Sequence, residues 1–187
     1  MNTYDFVHLA VWAVGGKVRG KTKLQKTMYF LGRLAGCLDE LGYRAHYYGP
    51  YSPEVAEAAD RLLSLGFIDQ TIAGGGAYDS RGFEVARYDF SLNDKGSLVA
   101  ELKAKRSPEP WKRLTRAAEI LKKAGDPDYM ELSVAAKTDF MLDQKDGKAT
   151  VGELAKLAGA FGWEVKPEEV LKAGEFLQSL GLIKVSQ

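Results

Sequence analysis

The chain holds a single cysteine, Cys37, and only two histidines, His8 and His46. One cysteine excludes an internal disulfide and a cysteine-based metal site, and is most simply a small core residue of a cytosolic protein. Neither histidine has a second histidine or a carboxylate at ligand spacing. Each therefore reads as structural, His8 in an apolar segment and His46 beside tyrosines. No apolar run approaches the roughly 18 residues of a membrane span. The N-terminus lacks a basic stretch followed by a cleavage site, which predicts a cytoplasmic protein with no membrane association. Excess charge is missing too: the net charge is +1 over 187 residues, so a nucleic-acid role has to rest on local asymmetry. What is present, 45% hydrophobic and 27% charged residues, is ordinary for a globular protein of one or two domains.

The clearest local signal runs from Ala45 to Asp69. An apolar, aromatic run to Tyr48 stops at Gly49-Pro50, and Ser52-Pro53-Glu54 then declares a helix: a capping Ser, a Pro shaped for the first turn and an early Glu suited to the helix dipole. Val55, Ala58, Ala59, Leu62, Leu63 and Leu65 recur at helical spacing, with Glu54, Glu57, Asp60 and Arg61 on the other face. Gly66 ends the helix and Phe67-Ile68 opens a strand. Strand-like stretches at Phe67 to Ile72 and Phe83 to Leu92, joined by a Gly-rich connection, predict a hairpin. Helix, glycine, strand and hairpin in that order are the wing of a winged-helix unit.

Around it, Thr3 to Val14 suits a buried helix and is equally readable as a buried strand, because short apolar runs are ambiguous. Gly15 to Gly20 reads as a loop and Lys23 to Leu34 as an amphipathic helix, with Leu24, Met28, Phe30, Leu31 and Leu34 for a core. Asn93 caps a helix through Lys103, and Ser107-Pro108 starts another that runs to Lys123. Gly125-Asp126-Pro127 marks a break, with Asp126 expected as the cap of a helix over Tyr129 to Leu142. Thr150 to Glu153 has capping-box spacing, and Pro167 opens a last helix. Leu177 to Ile183 shares the Leu-x-Ser-Leu-Gly-apolar-Ile pattern of Leu62 to Ile68, so the C-terminal part reads as a second, shorter helix-turn-helix-like unit without a full wing. The expectation is a mainly α fold with small antiparallel β (α+β), organised as a winged helix-turn-helix over 1–92, a helical connector over 93–125 and the second unit over 126–187.

Leu24-Gln25-Lys26, followed by Tyr48-Gly49-Pro50-Tyr51-Ser52-Pro53-Glu54 and a helix ending Leu65-Gly66-Phe67-Ile68, resembles the winged-helix proteins related to the Panacea (SocA-like) antitoxin domain and their uncharacterised prokaryotic relatives. The resemblance covers about Met1 to Leu92. It implies a winged helix, and an antitoxin role only for members paired with a toxin.

Three functional readings follow. Between Gly15 and Arg33 lie Lys17, Arg19, Lys21, Lys23, Lys26 and Arg33 with no acidic residue, six cations to none. Lys17, Arg19, Lys21, Lys23 and Lys26, with Arg81 and Arg87 of the hairpin, are candidates for phosphate contacts to DNA or RNA, and the basic Lys103 to Lys123 stretch could add to them. Base reading by the Pro53 to Leu65 helix is disfavoured, because Glu54, Glu57 and Asp60 would face phosphates. The working function is thus a non-enzymatic regulator that contacts nucleic acid through a basic N-terminal face. The second reading is a protein-binding module, antitoxin-like or homodimerising, with Tyr47, Tyr48, Tyr51, Glu54, Glu57 and Arg61 as candidates; the plainer role of the tyrosines is core packing with the hydroxyl outward. The third is a small P-loop nucleotide-binding protein. Gly15 to Thr22 matches G-x-x-x-x-G-K-[ST], with Phe6 to Val14 as the preceding strand, Lys21 on the terminal phosphates and Thr22 on magnesium. Against it, bulky Val18 and Arg19 sit where phosphate wrapping favours small residues, and the strands of a parallel sheet are missing from the rest of the chain. No catalytic constellation, cofactor or metal site is expected, and Asp139 and Asp143, one helical turn apart, read as solvated.

Overall fold

The computed structural model describes residues 1–73 and 86–184. The protein is an α+β fold in which helices carry most of the chain and one small antiparallel sheet stands at one side. The Gly-rich connection expected between the two hairpin strands, Arg81 included, lies outside the described residues.

Helix α1 (Thr3–Ala13) starts at Asn2, whose side chain accepts the Asp5 N–H at 2.8 Å. Every residue from Phe6 to Val11 is buried, so α1 is apolar all round and needs neighbours on all sides. It has them in α3 (Pro53–Ser64), α4 (Asp94–Arg106) and α5 (Pro108–Lys123). The ambiguity between helix and strand is thereby resolved as helix.

Lys17–Arg19, expected as a loop, is a short strand, β1. It pairs antiparallel with β3 (Arg87–Leu92), which also pairs with β2 (Ile68–Ala73), giving the order β1-β3-β2. Val18, Phe90 and Ile68 turn inward and are buried, whereas Lys17, Arg19 and Asp89 share the outer face. The side-chain cap of α3 is Ser52, which accepts the Val55 N–H at 2.9 Å, and α4 is capped by Asn93, which accepts the Gly96 N–H at 2.9 Å.

Helix α2 (Lys21–Ala35) runs between two cores. Leu24, Met28 and Leu31 join α1, α3, α4, α5 and the sheet, while Tyr29 and Phe30 join the C-terminal helices. Those helices are α6 (Tyr129–Asp143), α7 (Val151–Ala160) and α8 (Pro167–Ser179). The expected cap of α6 moves two residues: Asp128, not Asp126, accepts from Met130 and Glu131, with Glu131 reaching back to the Asp128 N–H. Thr150 and Glu153 form the expected capping box of α7. After α8 no further strand is assigned among the described residues. Among those residues, no helix is long and apolar enough to cross a membrane.

Candidate interaction surface

Folding disperses the six cations that stand together in the sequence. Lys17, Arg19 and Lys21 remain exposed, with the Lys21 ammonium 4.7 Å from the centre of the Tyr88 ring. Lys23 is bound to Asp126 at 2.5 Å. Arg33 holds Asp139 at 3.2 Å and Asp143 at 3.1 Å, so Asp139, read from the sequence as solvated, is a buried carboxylate that also accepts the Tyr29 hydroxyl at 2.8 Å. Arg87 grips Asp89 through two hydrogen bonds of 2.8 and 2.9 Å, and that grip holds the Asp89 carboxyl below its ordinary range. Asp89 is in register with Arg19, so the outer sheet face carries mixed charge. As a phosphate contact Lys26 is ruled out by burial, and Lys23 and Arg87 are already partnered.

The nucleotide-cradle reading falls on the same geometry. The segment before the glycines is a helix, not a strand. The glycine amides are already engaged: the Gly15 and Gly16 N–H groups donate to the Trp12 and Val11 carbonyls at 3.0 and 2.8 Å, and the Gly20 N–H donates to the Tyr88 carbonyl at 3.1 Å. A phosphate cradle needs those amides free and convergent.

The residues of the Leu-Gln-Lys and Gly-Pro patterns meet in space. Gln25 brackets Ser52, donating to its carbonyl at 2.9 Å and accepting its N–H at 3.1 Å. Lys26, 2% exposed, donates to the Pro50 carbonyl at 2.6 Å. The Tyr43 hydroxyl donates to the Gln25 carbonyl at 2.6 Å, and Arg44 and Tyr51 exchange backbone hydrogen bonds of 3.1 and 2.9 Å across the loop. From the C-terminal unit, the Trp163 indole N–H donates to the His46 carbonyl at 2.7 Å. Gly49 adopts φ +97°, and a Cβ there would come within 2.9 Å of the Lys137 side chain, so the loop closes on α6 only as glycine. Six residues (Ala45 to Pro50) are thus fixed from both cores.

At the tip of this clamped loop Tyr47 and Tyr48 stand 73% and 61% exposed, with ring centres 4.9 Å apart at 83°. Their plainer expected role, core packing, does not hold. Tyr51 is only half-buried and lies against His46, which is exposed rather than the enclosed structural histidine expected from the sequence. Glu54, Glu57, Asp60 and Arg61 line the outer side of α3, with the Arg61 guanidinium 5.0 Å from the centre of the Tyr4 ring. His8 is the core histidine expected. It donates through Nε2 to the Gly96 carbonyl at 2.9 Å and stacks on Phe67, and burial, then the Lys103 charge, push its pKa down to about 4.

Gln25, Lys137 and Trp163 were not assigned roles from the sequence. Gln25 stands within the Leu-Gln-Lys pattern, but its partner Ser52 lies 27 residues away, and Trp163 meets His46 across 117 residues. No local periodicity reports such contacts.

No family model matches the chain. It is 32% identical over 93 residues to YwgA, an uncharacterised protein of Bacillus subtilis (strain 168); the match covers 50% of this chain and 51% of that protein, so the chain spans about half the length of the curated relative it matches.

Proposed function

We propose that this protein is a non-catalytic protein-binding module whose partner docks on the Tyr47–Tyr48 loop. One observation carries the reading: two large aromatic side chains are left in solvent on a loop whose backbone is held by Gln25, Lys26 and Trp163. A loop backbone held in this way has little conformational entropy left to lose on binding, and tyrosines are among the residues that contribute most to the energy of protein interfaces. The outer side of α3, with exposed Glu54, Glu57 and Asp60, is a second, acidic surface that favours a basic partner. The order helix, strand, helix, helix, strand, strand fits a winged helix, and the likeness to Panacea-related proteins is in line with a regulatory, antitoxin-like adaptor.

The test is affinity capture from nuclease-treated extract with the wild type and a Tyr47→Ala/Tyr48→Ala variant. The expected result is one partner in stoichiometric amount on the wild type, lost from the variant at unchanged melting temperature. Equal capture by both, or capture that needs intact nucleic acid, would reject the reading.

A nucleic-acid contact is the second reading, favoured by exposed Lys17, Arg19 and Lys21 and by the cations on the outer side of α5, Lys112, Arg113, Arg116, Lys122 and Lys123. A low-salt mobility shift with DNA or RNA that Lys17→Ala/Arg19→Ala/Lys21→Ala abolishes would support it, because phosphate contacts weaken steeply with salt. The absence of any shift would reject it.

A further inference from the structure

Two surface features are left unused by the Tyr47–Tyr48 reading. The first is an open groove of about 450 Å³ between α6 and α8, beside the α5–α6 connection. Its apolar floor comes from Met130, Val134, Ala173 and Phe176. Its rim carries Glu131, Glu169 and Glu175, with Lys172 bound to Glu131 across it. The second feature is the outer side of α4, where Leu98 and Leu102 stand 60% and 48% exposed one helical turn apart. Around them lie Lys95, Lys105 and Arg106 against Asp94 and Glu101.

We propose that the α4 leucines of one copy of this chain dock in the α6–α8 groove of another. The observations that point to a second copy are complementary in shape and in sign. An apolar pair at i, i+4 is the anchor that a groove between helices accepts. The groove rim is net negative and the leucine surround net positive. A small ligand fits less well: the rim charges are exposed, and among the described residues lining the groove there is no buried polar group to orient one. The docking has to be intermolecular. Within one chain α4 packs on α1 and α5 in the first core, while the groove belongs to the second.

Joined through one such contact, a pair still offers one free groove and one free knob, and assembly grows with concentration. The contact is small, one helix face in one groove, which places it at the weak end of protein association. Light scattering on the full chain, up to about 1 mM at low salt, is the suitable range. The wild type is expected to gain average mass with concentration and to lose it as salt is raised. Met130→Arg, at an exposed groove position, and Leu98→Glu/Leu102→Glu are each expected to be monomeric with wild-type melting temperatures. Mixed together, the first supplies an intact knob and the second an intact groove, so the mixture is expected to form a 1:1 dimer that grows no further. A wild type that stays monomeric throughout, a single-sided variant that associates as the wild type does, or a mixture that stays monomeric would each overturn the proposal. Tyr47→Ala/Tyr48→Ala is expected to self-associate unchanged, which separates this contact from the Tyr47–Tyr48 surface.

Discussion

Lys26 is a charge enclosed without a carboxylate against it. Its ammonium meets the Pro50 carbonyl, and burial, then the like charge of Lys137, push its pKa from 10.5 down to about 8. Between those values an unfolded chain keeps a proton that the folded lysine has released, so the cost of burying the charge is full below pH 8 and lifts as pH rises towards 10.5. The stability of the wild type relative to Lys26→Met is therefore expected to increase across that interval, by up to about 3 kcal/mol on the linkage relation. Urea unfolding of both proteins along the pH series measures the difference, and a flat difference would refute a depressed Lys26. The sequence reading placed Lys26 with the surface cations because lysine is almost never fully buried. Only its distant partner, Pro50, reveals otherwise. His8 was legible for the opposite reason: an imidazole in an apolar helix has few outlets besides a backbone carbonyl.

Elements were most legible where a cap or a breaker sits beside an apolar period. Ser52, Asn93 and Thr150 all act as the sequence predicts. The short strand β1 was not legible, because its three residues are strand only through pairing with Ser91, Phe90 and Asp89, seventy or more positions away. Asp139 was misread for a similar reason, since the Arg33 and Tyr29 that keep it buried come from another helix. Helix α4 shows how closely elements are fitted. A Cβ on Gly96 would land on the Phe67 carbonyl, at the same turn where His8 binds the Gly96 carbonyl. Gly96→Ala gains helix propensity but must push α4 off the end of α3 and β2. Overpacking of this kind costs about 1–3 kcal/mol, so a clear drop in urea midpoint with unchanged slope is expected. A variant as stable as the wild type would mean that α4 is held more loosely than its contacts with Phe67 imply.

At the scale of the molecule, α2 is the shared wall of two cores, which a reading in consecutive segments could not reveal. The sequence assigned Leu24, Met28, Phe30, Leu31 and Leu34 to a single core, yet Phe30 faces the C-terminal helices, edge-on to Phe176 at 5.6 Å. Tyr29, buried beside it, has its phenol pKa raised by burial and then by Asp139, and the Tyr29–Asp139–Arg33 network ties α2 to α6. A helix that cannot leave one core without opening the other couples them, so the chain is expected to unfold in one transition. The tryptophans allow this to be measured: Trp12 and Trp111 stack at 4.7 Å in the first core, and Trp163 is buried in the second. With Trp163→Phe reporting the first core and Trp12→Phe/Trp111→Phe the second, the fluorescence transition of each variant is expected to coincide with that variant's own helix transition followed by circular dichroism. Phe30→Ala removes a buried ring only from the second core, a loss of about 3–5 kcal/mol. It is nevertheless expected to lower both midpoints together. If the Trp12–Trp111 signal kept its midpoint while the Trp163 signal fell, the halves would be independent, and α2 would be a tether rather than a common wall.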